Sequence, residues 1–383
     1  MKKAVVADIG EHFGSITDPR IERTKLHKLI DILVIAICGA ICNCDSWEDV
    51  EEFGKAKQEW FETFLELPNG IPSHDTFNRV FARIDPIEFR TCFMNWVSVA
   101  SELIGGQVIA MDGKVLRRSH DRGIGKGAID MVSAWACANH LVLGQVKVDE
   151  KSNEITAIPQ LLKALEISGC IITIDAMGCQ TEIAKTIVEE DADYVLALKD
   201  NQGNLFEDTQ KLFEDLESSQ YRAYTYDYEK TVDKGHGRIE IRECWTISDP
   251  NVLCHLRGFQ NWEKLMTVSR IRSQRWIGDE KSCEDRFHIA SVFGAKRVLT
   301  AVRSHWGIEN RLHWTLDMAF DEDHCRVRKD NGPENFAILR HIALNLLKQE
   351  KTSKRSINGK RLLAGWKEDY LLKVLSGLSQ LSI

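Results

Sequence analysis

Two short apolar runs in this chain each stop at an aspartate: Val108-Ile-Ala-Met-Asp112 and Ile171-Ile-Thr-Ile-Asp175. Runs of this length read as buried strands. A carboxylate at the end of a buried strand is costly to ionise unless something pairs with it. Further strand-like runs cover Met131 to Ala138, Leu141 to Val148 and Tyr194 to Leu198, with Asn139-His140 as a tight turn. Helices are expected from Pro159 to about Leu165 and from Thr181 to Glu190. The order is three strands, helix, strand, helix, strand. The first three suit an antiparallel meander, the later ones parallel pairing. In one familiar arrangement of this order the first and fourth strands are neighbours, which sets Asp112 beside Asp175 at one sheet edge. Adjacent carboxylates repel unless a divalent cation bridges them. Oxygen donors without clustered thiolate or imidazole favour magnesium or manganese over zinc.

A third acid is expected on a later helix. One long helix is predicted from about Ala295 to Leu316, and His305, Glu309 and His313 fall four apart on one face of it. Trp306, Leu312 and Trp314 flank that row and argue for a buried helix. A buried helix presenting Glu309 toward the sheet suits a carboxylate triad with Asp112 and Asp175. A second reading gives zinc to His305 and His313, with His324 and Cys325 as further ligands.

The rest of the chain frames this α/β core. Residues 1–104 read as a small helical domain, with Leu26 to Ala40 apolar on nearly all sides. Ser46 caps a helix through Leu65, Ser73 caps one through Ile84, and Asp85-Pro86 starts another. Two short helices around Pro68-Asn69-Gly70 allow a DNA-reading helix-turn-helix, or an ordinary bundle. Residues 105–350 read as the catalytic domain. Within it, about 200–293 read as a β-rich insertion: a polar helix from Gln202 to Leu216, then strands at Tyr221 to Tyr228, Arg238 to Ile247 and Lys264 to Arg272. Pro333 opens a final helix through Leu347, and 351–383 form a basic tail.

Composition is that of a globular chain, 43% hydrophobic and 28% charged. The run Ile32 to Cys42 is too short to span a bilayer, and no signal peptide is recognised. The 11 cysteines lack framework spacing and suit a reducing cytoplasm. Net charge is -7, yet ten Lys/Arg face three acids between His324 and Arg361. A second basic cluster holds Arg20, Arg23, Lys25 and Lys28. Together they make a polyanion-facing surface plausible. No Walker-type loop is present, and Gly123-x-Gly-x-Gly127 does not join a strand to a helix, so no nucleotide cofactor is indicated.

Several longer stretches carry a family resemblance: Val108-Ile-Ala-Met-Asp-Gly-Lys114, Lys151-Ser-Asn-Glu-Ile155 with Ile158-Pro-Gln160, Asp175-Ala-Met-Gly-Cys-Gln180, and Asp193-Tyr-Val-Leu-Ala-Leu-Lys199 with Asn201-Gln-Gly203. His236-Gly-Arg238, Ser304-His-Trp-Gly-Ile-Glu-Asn310 with Leu312-His-Trp314, and Pro333-Glu-Asn335 continue it, preceded by Ser46-Trp-Glu-Asp49 and Gly70-Ile-Pro-Ser-His-Asp75. On these the chain resembles DDE transposases of the H-repeat-associated branch. The resemblance implies a ribonuclease H-like mixed sheet with a β-rich insertion, plus an all-α associated domain. It implies cleavage and strand transfer at the ends of a mobile element. Asp112, Asp175 and Glu309 then hold two magnesium (or manganese) ions. Its partner is double-stranded DNA, both element ends and target, with a homodimer on DNA as an option. The place is a bacterial cytoplasm, at the nucleoid when DNA is bound. The broader transposase signature sets Tyr, Arg and Lys around the glutamate; Val302, His305 and Leu316 stand there here, which fits this branch. Alternatives are a binding-only relic and a nuclease that cuts without joining. Candidate DNA contacts are Lys114, Arg117 and Arg118 after the first aspartate, Lys234, His236 and Arg238 in the insertion, Arg303 and His305 on the long helix, and Arg326, Arg328 and Lys329.

Overall fold

The computed structural model describes residues 9–100, 105–120, 127–149, 152–235 and 237–376. The N-terminal helices follow their apolar spacing and caps. Helix α1 (Leu29–Ile41) is buried on every side from Asp31 onward. Asp31 is tolerated because its carboxylate accepts the Leu67 backbone N–H at 3.2 Å. Helix α2 (Trp47–Ala56) starts on a reciprocal box, in which Ser46 Oγ accepts from the Asp49 N–H and Asp49 accepts from the Ser46 N–H. It is shorter than expected, ending at Ala56 with only the turn Gln58–Phe61 after it. Trp60 and Phe61 are both buried. Neighbours about 100° apart on a helix reach one core more easily if the axis turns. Helix α3 (His74–Arg83) is capped by Ser73, and α4 (Pro86–Ala100) opens on its proline. The Trp47 ring packs on Phe77 and Phe81, joining α2 to α3 as bundle members.

The sheet then forms. It holds β1 (Val108–Leu116), β2 (Ile129–Ala136), β3 (Leu141–Lys147), β4 (Ile171–Ile174) and β5 (Asp193–Leu198). Helices α5 (Glu154–Ala164) and α6 (Thr181–Glu189) connect the parallel strands, and α7 (Gly203–Ser218) follows β5. The first three strands run antiparallel and β1, β4 and β5 run parallel, in the order β3-β2-β1-β4-β5. This is the ribonuclease H-like mixed sheet. Helix α5 does not begin at Pro159. Asn153 caps it by accepting the Ile155 N–H, and Pro159 lies inside, forgoing one backbone bond.

The insertion contributes β6 (Asp227–Gly235), β7 (Arg238–Ile247), β8 (Thr267–Ile277) and β9 (Glu280–Ala290). The first of these strands starts later than expected, and β9 was not foreseen. Its outer half is charged, and cross-strand pairs such as Arg272 with Asp285 replace apolar alternation there. β9 pairs antiparallel with β5, so the insertion extends the catalytic sheet to nine continuous strands.

After the sheet come α8 (Ala295–Ile308), a π turn (Glu309–His313), α9 (Trp314–Phe320) and α10 (Gly332–Gln349). Helix α10 is buried from Gly332 to Leu347, polar residues included. Asn335 Nδ2 donates to Phe81 O and Ile84 O at the end of α3, while the Asn345 amide bonds both Val142 N and O on β3. The expected basic tail instead contains α11 (Ile357–Trp366) and α12 (Glu368–Leu375). Arg361, 0% exposed, donates to Ala40 O, Ala319 O and Asp45. Arg340 and Lys360 are buried too, so several cations of the basic stretch serve the interior. Among the described residues no helix is long and apolar enough to cross a membrane.

Candidate active site

Strand register decides where the acids meet. β1 and β4 pair in parallel from Val108↔Ile171 to Met111↔Ile174, so Asp112 and Asp175 are the next residues on both strands. Neighbouring strands lie about 4.8 Å apart. β4 ends there as expected, but β1 runs on to Leu116 along β2. Asp112 therefore sits inside a strand whose other edge has just lost its partner.

The α8–α9 segment crosses above this point. His305 Nδ1 lies 3.1 Å from Thr173 Oγ1 of β4, and His313 Nδ1 lies 3.5 Å from Asp112 Oδ2 of β1. One turn on, Asp317 Oδ1 lies 2.5 Å from Lys114 Nζ. Glu309 falls midway between the two histidines on this row. The expected single helix is interrupted at that residue by the π turn, whose extra residue resets the side-chain row. The tryptophans do not face the sheet: Trp306 is 41% and Trp314 61% exposed. Ile308, Leu312 and Leu316 form the buried side.

Burial, then Asp175, push the Asp112 carboxyl up to about 7, with Glu154 and Glu309 adding to the repulsion. Burial pulls His313 down to about 4, so the ring facing Asp112 is neutral at pH 7. Burial lowers His305 as well. No lysine or arginine among the described residues pairs with Asp112, Asp175 or Glu309. Asp175 Oδ1 accepts from the Met177 and Gly178 N–H groups at 3.0 and 3.3 Å. Asn201 and Gln202 donate to Ala176 O and Cys179 O, which fixes that loop.

Glu154 was missed by sequence reasoning. A Cβ on Gly113 would stand 1.8 Å from its Oε1, so the missing side chain at 113 is what admits this carboxylate. Gly113 and Asp112 alternate on the strand, hence Glu154 approaches from the face opposite His313. Burial and Asp175 raise its pKa. The only sequence signal was its place in the Lys151 to Ile155 stretch. Among the described residues no three His, Cys, Asp or Glu side chains already stand as a metal-holding group, the zinc set included. The donor chemistry nonetheless suits a hard divalent cation, being carboxylate oxygens crowded without counter-charge.

The Transposase DDE domain profile matches residues 104–346, and the DDE_Tnp_1-associated profile matches residues 10–97. The chain belongs to the DDE transposase family. Escherichia coli K12 H repeat-associated YhhI is 40% identical over 374 residues, covering 96% of this chain and 97% of its own. YncI of Escherichia coli O157:H7 is 39% identical over 376 residues, covering 97% and 95%. A short K12 relative, Inactive transposase YbfQ, is 38% identical over 73 residues, covering 19% and 87%.

Of the proposed DNA contacts, the transposase commits several elsewhere. Lys114 is enclosed by Asp317 and by Glu322 at 2.8 Å, so it braces α9 against β1. His305 is turned to Thr173. Arg303 binds Asp233 at 2.8 Å and Arg238 binds Glu240 at 3.4 Å. Arg117 is exposed beside Asp323, and the Arg118 carbonyl accepts from Arg328 Nε. Lys234, Arg326 and Lys329 are not buried. His236 lies outside the described residues, as do residues 123–126 of the glycine pattern.

Proposed function

We propose that this transposase cuts DNA at the ends of a mobile element and joins them to a target, using Asp112, Asp175 and Glu309. These three carboxylates would hold two magnesium or manganese ions. When bound, the ions supply acidification of water or a 3′-hydroxyl and charge relief at the leaving phosphodiester oxygen. Asp112, nearest the other acids, gives up its proton around pH 7, so the donor set is complete on the alkaline side. The Met177 and Gly178 N–H groups orient Asp175, and the neutral His313 ring faces Asp112 without neutralising it. Lys114, bound to Asp317, keeps the Glu309 helix seated on β1. The observation that carries the reading is the shared register of Asp112 and Asp175 under the Glu309 turn. Two identical chains suit the two ends of one element, so a homodimer on DNA is the expected assembly.

The test is incubation with linear DNA bearing the element's own ends, with and without magnesium. Wild type should cut and join only with magnesium, and Asp175→Ala should bind but not cut. Cleavage at wild-type rate by Asp175→Ala removes this site from the chemistry. Cutting with no joining of a pre-cut end would make the protein a nuclease only, and binding without nicking a relic.

A further inference from the structure

An open cavity of about 680 Å³ lies beside the Glu309 turn, bounded by Trp135 of β2, Arg238 and Arg242 of β7, and Arg303, Trp306 and Arg311 of the crossing segment. Its acids are already engaged. Asp233 pairs with Arg242 and Arg303, and Glu240 with Arg242 and Arg275. Arg311 differs, having no carboxylate partner among the described residues. One guanidinium nitrogen lies 2.6 Å from His140 Nε2. Burial, then Arg311, pull His140 down to about 4, so that ring is neutral. Lys348 Nζ donates to Arg311 O at 2.8 Å and sits 4.5 Å from the Trp135 ring centre. It too has no acid partner among the described residues. Burial pulls it down to about 7, and Arg311 and Lys351 push the same way. The Trp135 indole N–H is fully buried and lacks a hydrogen-bond partner. It points along Gly307, whose added Cβ would stand 3.6 Å away.

The Arg311 corner of the cavity, with Lys348 adjoining it through the Arg311 carbonyl and the Trp135 ring, therefore gathers two basic side chains and an unmet donor without counter-charge. A half-buried ammonium and an orphan buried donor are costly unless an anion completes them, and an exposed guanidinium without a carboxylate partner is free to join them. A phosphodiester brings charge and several acceptors at once. We propose that a backbone phosphodiester of the DNA docks in this corner, gripped by Arg311 and Lys348, and leads the strand toward Glu309, two residues before Arg311. The proposal rests on the DNA-cutting reading above.

Its test is the salt dependence of equilibrium binding to a short DNA duplex of arbitrary sequence, without divalent metal. Wild type, Arg311→Gln, Lys348→Gln and Arg257→Gln are compared. Arg257, held by Asp208 and Glu207, lies outside the cavity. Losing one phosphate contact should flatten the log–log slope by about 0.9. Arg311→Gln and Lys348→Gln should each show this, and Arg257→Gln should not. Arg311 is exposed, so its variant keeps the fold even if Lys348→Gln does not. A wild-type slope in Arg311→Gln, with wild type binding normally, overturns the docking site alone. Failure of wild type to bind DNA in a salt-dependent way overturns the cutting reading as well.

Discussion

Replacing Asp112 by asparagine gives a measurement of the site that needs no DNA. The Asp112 carboxyl is pushed from 3.8 to about 7 by burial and its acidic neighbours. The folded state thus holds this proton more tightly than the unfolded chain does. By linkage, that contribution is fully present below about pH 4 and is lost as pH rises through 7. A shift of about three units corresponds to roughly 4 kcal/mol, at about 1.4 kcal/mol per unit. The figure is an upper limit, because Asp175 and Glu154 share the repulsion. The amide of the variant carries no charge to gain or lose. Denaturant unfolding in EDTA should show Asp112→Asn gaining on wild type by up to about 4 kcal/mol between pH 4 and pH 8. Magnesium at pH 8 should then stabilise wild type far more than the variant. A stability difference that stays flat across this pH range refutes the electrostatic account.

Three further outcomes follow from the contacts around the site. Gly113→Ala should destabilise by about 1–3 kcal/mol in thermal melts, since its Cβ displaces the Glu154 carboxylate, and adding Glu154→Ala should recover much of the loss. Lys114→Met leaves Glu322 buried with only Arg340 at 3.7 Å, and should cost about 3–5 kcal/mol; loss of DNA affinity with unchanged stability would instead return Lys114 to the phosphate contacts. Arg361→Ala strands Asp45 and the Ala40 and Ala319 carbonyls, and should cost about 3–5 kcal/mol, seen as a lowered unfolding midpoint.

The legible parts of this chain were those whose physics is local. The Ser46 and Ser73 caps, and the two apolar runs ending at Asp112 and Asp175, need only a few neighbouring residues to be read. The parallel pairing of the later strands followed from their alternation with helices, and the neighbouring of β1 and β4 from a familiar arrangement of that element order. What escaped depends on residues far apart in the chain. Lys114 looked like a surface cation because Asp317 and Glu322 are two hundred positions away. Glu154 became visible only through the space left at Gly113. β9 was hidden because ion pairs, not apolar alternation, hold its outer half. Pro159 misled because a proline suits a helix start, although the Asn153 cap had already begun α5. Trp306 and Trp314 misled in the opposite sense, as large apolar residues lying on an outward face.

The seating of Arg361 bears on how copies of such an element decay. This side chain ties a late helix to the end of α1 and to the close of α9. A premature stop just after α10 would spare all three acids and every strand. It would still remove the cation that ties the end of α1 to the close of α9, leaving Asp45 and the Ala40 and Ala319 carbonyls without it. A copy can thus keep an intact catalytic signature on paper while its protein is already a casualty of a lesion near the end of the gene.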